Sequence, residues 1–257
     1  MLPKIQDKKR TLIVDGSILI YRIASALEEA TQWEDDMWTL HADLKLGKRV
    51  LDTTLRNYKD KLNCNKIIIA QDHKNNFRLD IFPEYKSHRK KIRKPIIVKP
   101  LKEYMFHNYE TLTYPNLEGD DVCGIFATQS LNKDKVVILS GDKDLRTIPG
   151  IHHFIHDEST EIVNETIANY NFMYQTLVGD MTDGFAGCPS IGGVKASRIL
   201  ANKKDLPEMW EAVVKEYEKQ GLDENYALTQ ARLARILRAS DWDSKKKKPI
   251  LWRPHAN

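Results

Sequence analysis

Three short runs along the chain are apolar at consecutive positions: Thr11-Leu-Ile-Val14, Lys66-Ile-Ile-Ile-Ala70 and Val136-Val-Ile-Leu139. A strand with one face in water alternates apolar and polar residues, whereas a strand covered on both faces stays apolar throughout. The β-branched content of the runs favours strand over helix. Between them the period lengthens. Ser17 is placed to cap a helix over residues 17–30, Val50, Leu51, Thr54, Leu55, Tyr58 and Leu62 share one face of a second, and a third opens near Gly119 and turns Val122, Ile125 and Phe126 inward. Buried strands alternating with helices predict an α/β fold with a central, mostly parallel sheet over residues 1–175. From Glu165 the pattern is helical alone, over 165–178, 194–201, 206–220 and 223–239, with a glycine-rich turn at 184–193. Residues 176–257 therefore read as a helical appendage.

Composition bounds this picture without deciding it. With 41% apolar residues in 257, a large core can be buried, and 40 Lys and Arg against 36 Asp and Glu leave a formal net charge of +4. No run approaches the roughly 20 apolar residues that cross a bilayer, and the opening MLPKIQDKKR lacks the apolar centre of an export signal. Cys64, Cys123 and Cys188 are odd in number and far apart, against a disulfide framework or paired-cysteine zinc. The expectation is a cytoplasmic protein.

The chemistry lies in where the acids fall. Each buried strand ends in a carboxylate: Asp15, then Asp72, then Asp142 with Asp144 two residues on. In an open α/β sheet the carboxyl ends of the strands form one edge, where ligands bind. Glu118, Asp120 and Asp121 open a helix, whose positive end tolerates anions, and Asp180 and Asp183 sit at a helix end beside the glycine-rich turn. So many like charges in one place require cations. The donors are all oxygen, which selects hard divalent ions: two Mg²⁺, with Mn²⁺ as a substitute, suit phosphodiester cleavage.

Residues 86–102 carry eight Lys or Arg and no acid, between structured flanks, so this segment reads as a tethered loop or arch near 84–105. A basic segment beside an acidic metal site suits a polyanion. Lys86 and Arg89 are the candidates to reach the scissile phosphate, Tyr85 to stack on a base, and Lys90, Lys91, Arg93 and Lys94 to hold backbone phosphates. At Ile191-Gly192-Gly193-Val-Lys195, near the middle of a hairpin spanning 184–201, backbone N–H groups at a helix start suit a DNA phosphate. Arg232, Arg235 and Arg238 recur every three residues and read as a solvated helix face. His152, His153 and His156 fall in a strand-like stretch with no completing ligand pattern, so zinc is not assigned there.

Taken together, LIVDGS, FRLDIFPEYKSHRK, LEGDD, LSGDKD, VGDMTDG and CPSIGGVKA resemble the 5′ nucleases, the flap endonuclease and 5′→3′ exonuclease superfamily. WEDDMW, YKSHRKKIRKP, DKDLRTIP and the ending QARLARILR with LWRP are most similar to the replicative 5′→3′ exonucleases of short-tailed lytic phages. The resemblance implies a PIN-like sheet with a helix-hairpin-helix (helix-three-turn-helix) element. It implies one metal held by Asp15, Asp72, Glu118, Asp120 and Asp121, a second by Asp142, Asp144, Asp180 and Asp183, and a K⁺ at the hairpin. Implied partners are double-stranded DNA with 5′ ends, nicks or flaps and RNA–DNA hybrids, cut by a monomer. Two departures matter. Pro95 and Pro100 interrupt the basic segment, which favours attack at a duplex end over threading of a flap, and Cys188-Pro-Ser precedes the hairpin glycines where relatives often differ. The rival readings are a flap endonuclease, a PIN-type ribonuclease, a Toprim-like module and a metal-free structure-specific DNA-binding protein.

Overall fold

The computed structural model describes residues 10–34, 36–132 and 134–254; the side chains of Lys90 and Lys91 lie outside the described residues. The three apolar runs become strands β1 (Arg10–Asp15), β4 (Cys64–Ala70) and β6 (Val136–Ser140). They lie side by side in a six-stranded sheet of order β5-β4-β1-β6-β7-β8, completed by β5 (Thr111–Leu112), β7 (Gly150–Phe154) and β8 (Thr160–Val163). All neighbours are parallel except β8, which returns antiparallel to β7. Val14 pairs with both Ile69 and Leu139, so β1 is central and the carboxyl ends of the three strands are level.

Burial on both faces explains the unbroken apolar pattern. Leu12, Val14, Ile69 and Leu139 pack beneath α1 (Gly16–Leu27), α2 (Leu44–Lys61) and α4 (Val98–Asn108), while Ile13, Ile68 and Ile138 pack on the opposite side against α5 (Gly119–Thr128), together with Ile81 of the one-turn α3 (Arg78–Ile81). Gly16 is required where α1 leaves β1, because an added Cβ would stand 2.7 Å from the side chains of Ile69 and Met105. A separate core around Phe172, Trp210, Tyr217 and Trp252 unites α6 (Glu165–Val178), α7 (Gly193–Leu200), α8 (Leu206–Lys219) and α9 (Glu224–Ala234). No helix among the described residues is long and apolar enough to cross a membrane.

Several expectations are corrected. Asp15, not Ser17, caps α1, and that helix stops at Leu27. Glu28 turns extended and holds the loop after the basic run through Arg93 (2.5 Å) and the Ile96 N–H (2.7 Å), and β2 (Glu29–Gln32) then pairs with β3 (Trp38–His41) as a hairpin. Pro100 lies in the first turn of α4, where the missing N–H costs nothing, and Leu101 and Met105 bury that helix against α1 and α2. Helix α9 ends at Ala234, and a small hairpin of β9 (Trp242–Asp243) and β10 (Lys248–Pro249) follows. Arg235 and Arg238 are buried, not solvated: Arg235 pairs with Asp241, and Arg238 with Glu165 and the Thr147 carbonyl. Arg232 donates to the Trp252 carbonyl.

Candidate active site

A pocket of about 310 Å³ opens at the carboxyl edge of β1, β4 and β6. Seven of the nine expected carboxylates line it: Asp15, Asp72, Glu118, Asp120, Asp142, Asp144 and Asp183. Asp180 stands just behind, close enough to Asp144 to disfavour its ionisation. The elements that aim these groups are local. Asp15 ends β1 and accepts from the Ile18 N–H (3.3 Å) and the Ser140 hydroxyl (3.0 Å). Asp72 accepts from the Ser17 hydroxyl (2.5 Å) and the Gly119 N–H (2.9 Å) at the start of α5. Asp142 accepts from the Asp144 N–H (2.8 Å), and Gln175 on α6 donates to Asp144 (2.9 Å). Asp180 and Asp183 are presented by a turn closed by Gly179 and Gly187. Both have φ near +70°, and an added Cβ on either would lie within 2.5 Å of the other's backbone.

Asp121 is a correction. It is fully buried and faces away from the pocket, taking both Arg78 Nη1 (2.7 Å) and Nη2 (2.8 Å) and the Leu237 N–H (3.0 Å). Its work is to lock α5 to the end of the helical unit, since Arg78 also donates to the carbonyls of Leu233 and Arg235. Tyr85 is the second. Only 4% exposed, it points its hydroxyl at Asp183 (2.7 Å) and Glu118 (3.1 Å), and Lys86 lies over its ring, so no face is left for a base.

Lys86 enters from the opposite wall, its ammonium 2.5 Å from Glu118 and 3.2 Å from Asp183. Its backbone holds a left-handed φ of +54°, fixed by an N–H bond to the Asp183 carbonyl (2.8 Å). Arg89 spans Asp183 (2.6 Å) and the Thr182 carbonyl (2.9 Å). Arg93 is committed to Glu28, outside the pocket, and Lys94 is exposed. At the hairpin, Ile191 packs its side chain into the helical core, Gly192 caps α7, Gly193 abuts the Tyr174 hydroxyl, and Lys195 donates to the Ser190 carbonyl (2.9 Å). His152 and His153 stand on β7: the first bonds to the Ile148 carbonyl, the second to the Thr160 hydroxyl.

The acids fall into two electrostatic classes. Burial would raise Glu118, but Arg78 and Lys86 overcome it and hold its carboxyl at about 2. Burial dominates elsewhere. It lifts Asp15 to about 7 with help from Asp72, Asp144 to about 7 with help from Asp142 and Asp180, and Asp120 well above the usual carboxylate range with help from Asp15 and Asp142. Lys86 is buried too, yet Glu118 and Asp183 keep it charged. Among the described residues no three Asp, Glu, His or Cys side chains are closed around one point as a metal would hold them. The donor set nonetheless fits hard divalent cations: it is all oxygen, crowded, and seven carboxylates are only partly compensated by Arg78, Lys86 and Arg89.

Ser17, Arg78, Ser140 and Gln175 were not among the site residues expected from sequence. Arg78 lies inside the quoted FRLDIFPEYK stretch, but nothing local marks it as a buried anchor.

Known proteins bear on this geometry. A family model described as the 5′-3′ exonuclease N-terminal, resolvase-like domain matches residues 10–173. The exodeoxyribonuclease of enterobacteria phage T3 is 28% identical, with 97% of this chain and 95% of that protein covered, and the exonuclease of Escherichia phage T7 is 29% identical over 96% and 95%. In fold, the chain is similar to the flap endonuclease of bacteriophage T5 solved as a complex with DNA and metal ions, with a TM-score of 0.69 over 89% of each chain at 17% identity. The sheet edge that gathers Asp15, Asp72, Glu118, Asp120, Asp142 and Asp144 lies within the matched residues, and the chain belongs to the 5′-3′ exonuclease family.

Proposed function

We propose that the chain is a divalent-metal-dependent 5′→3′ exonuclease acting on double-stranded DNA at 5′ ends, nicks or gaps. The observation that carries this reading is the confrontation, in one pocket of a 5′-3′ exonuclease family member, of seven carboxylates with Lys86 and Arg89. Asp15, Asp72, Glu118 and Asp120 would hold one ion and Asp142, Asp144, Asp180 and Asp183 the other, with Mg²⁺ preferred and Mn²⁺ able to substitute. Bound divalent ions supply the Lewis-acid and water-activating chemistry of phosphodiester hydrolysis. The chain's own residues position the phosphate. Lys86 has three N–H donors and two carboxylate partners, which leaves one for a phosphate oxygen, and the Nη1 edge of Arg89 is engaged by no described group. Both neutralise charge that grows as the bond breaks. Duplex is gripped at Gly192 and Gly193, where α7 begins. A K⁺ held by backbone carbonyls of the hairpin belongs to the same reading, beside the Ser190 carbonyl's bond from Lys195.

Exonucleolytic cutting is favoured over flap threading because the basic segment is pinned: Arg93 is tied to Glu28 and α4 is packed on the sheet helices. RNA in RNA–DNA hybrids is a second substrate, since contacts to phosphate do not read the sugar. All these groups come from one chain, consistent with a monomer working in a host cytoplasm. The test offers 5′-labelled blunt, nicked, flapped and RNA–DNA substrates with Mg²⁺ to the wild type and to Asp142→Asn. Release of short 5′ fragments by the wild type alone supports the reading. Equal cutting by Asp142→Asn, or cutting only from 3′ ends, overturns it.

A further inference from the structure

Asp144 is held differently from its neighbours in the pocket. Asp15 and Asp72 each take one backbone N–H and one hydroxyl, while Glu118 and Asp183 each take Lys86 and an arginine. Among the described residues the Asp144 carboxylate has one N–H donor, the amide of Gln175, whose Nε2 lies 2.9 Å from Oδ2. Gln175 stands in the last turn of α6, and its own carbonyl accepts the Gly179 N–H (2.8 Å) that ends the helix ahead of Asp180 and Asp183. One turn earlier on the same face, Asn171 donates to the Arg146 carbonyl (3.1 Å). Two amides thus fasten α6 to the 3₁₀ turn Lys143–Thr147, one by a carboxylate and one by backbone. Gln175 lines the pocket, and its Oε1 is buried without a bond from any described group.

We infer that Gln175 is the positioning residue of the second ion: its Nε2–H fixes the Asp144 carboxylate, and its Oε1 accepts from a water that a hydrated divalent cation brings with it. This deepens the nuclease reading and rests on it. The chemistry of the donor supports the assignment. Lys86 and Arg89 orient Glu118 and Asp183, but they bring positive charge, which repels a cation at the same acids. An amide orients a carboxylate through one hydrogen bond and adds no charge, so Asp144 keeps its attraction for the ion. A buried amide oxygen without a donor is costly, and an ion of the Mg²⁺ class retains several waters, each of them a donor. A polar pocket of about 310 Å³ has room for them beside Gln175. Position adds to the case. Helix α6 joins both pairs of acids assigned to this ion: it grips Asp144 through Gln175, and it leads through Gly179 into Asp180 and Asp183. The side chain that aims one pair is therefore on the turn of helix that delivers the other.

The test counts Mn²⁺ bound without DNA, from the loss of the free-ion signal in electron paramagnetic resonance. The wild type should bind two ions per chain. Gln175→Met removes the donor and Gln175→Asn withdraws it by one methylene. In each, one dissociation constant should rise about tenfold while the other holds. Added to Asp144→Asn, Gln175→Met should weaken neither ion further, because its effect passes through Asp144. Asn171→Leu frees the same turn without touching a carboxylate, so it should lower the melting temperature in EDTA and leave both constants unchanged. On nicked duplex, the kcat that Gln175→Met loses at limiting Mn²⁺ should return at saturating Mn²⁺. Unchanged constants in either Gln175 variant, or an equal weakening in Asn171→Leu, overturn the inference. A wild type that binds no Mn²⁺ defeats the nuclease reading itself, whereas two-ion binding indifferent to residue 175 defeats the role of Gln175 alone.

Discussion

Replacing Arg78 with Met should nearly unfold the protein although Arg78 touches no reacting group. Its five N–H donors make five bonds: to Asp121 twice, to Glu118, and to the carbonyls of Leu233 and Arg235, at 2.6 to 3.1 Å. Both Arg78 and Asp121 are shielded from water, so Met at 78 strands a buried carboxylate, which costs about 3–5 kcal/mol. Two carbonyls lose their donor as well, at about 1 kcal/mol each. Against a typical total of about 5–15 kcal/mol, the change is a large fraction of stability. Urea denaturation followed by circular dichroism should show the midpoint collapse in Arg78→Met. In Arg78→Met/Asp121→Leu much of it should return, because removing both charges leaves none unpaired. A loss below about 1 kcal/mol in the single variant, or a double variant as unstable as the two singles added, would refute the reasoning. Asp121→Asn extends the test. It should lower the melting temperature and still be stabilised by Mn²⁺. Loss of that Mn²⁺ response in a well-folded Asp121→Asn protein would make Asp121 a metal ligand after all.

Asp120→Asn should behave the opposite way. In EDTA it should melt no lower than the wild type, since an amide resembles the protonated acid that burial favours there, but it should lose the roughly 2.7 kcal/mol of stabilisation that a ligand at a hundred times its dissociation constant confers. Melting curves with and without Mn²⁺ read both. Lys86→Met should reduce kcat on nicked duplex about 10²–10³-fold with a smaller change in KM, because its charge is needed most as the phosphate reacts; a pure KM effect would reassign Lys86 to binding. His152 is buried and its pKa is held down to about 4, chiefly by burial. The unfolded chain therefore binds one more proton between about pH 4 and 6.5, and the stability present above pH 6.5 falls as pH drops through that window, by about 3 kcal/mol in total. His152→Gln should flatten that part of the urea-midpoint curve, and an unchanged slope between pH 7 and 5 would count against it.

What the sequence made legible and what it hid divide along physical lines. The sheet was legible because β1, β4 and β6 are covered on both faces, and burial on both faces leaves an uninterrupted apolar record. The β2–β3 hairpin left none, since it is exposed along most of its length and neither a period of two nor one of 3.6 is imposed on it. Arg235 and Arg238 defeated pattern reading for a related reason. Cations three residues apart look solvated until Asp241, Glu165 and the Thr147 carbonyl arrive from elsewhere in the chain to neutralise them.

The acids show the limit most sharply at Asp120 and Asp121. Neighbours on a helix point about 100° apart, and both sit in the first turn of α5, so spacing alone assigns them equally to the pocket. What separates them is Arg78, 43 residues back along the chain, which captures Asp121 and leaves Asp120 facing Asp15 and Asp142. The same guanidinium keeps Glu118 ionised. One buried cation thus divides a run of four residues into an anchor, a carboxylate held charged, and a carboxylate whose charge must come from bound ions. That partition belongs to the folded chain, where the desolvation of each acid can be weighed against its partner, and no count of acids in the sequence contains it.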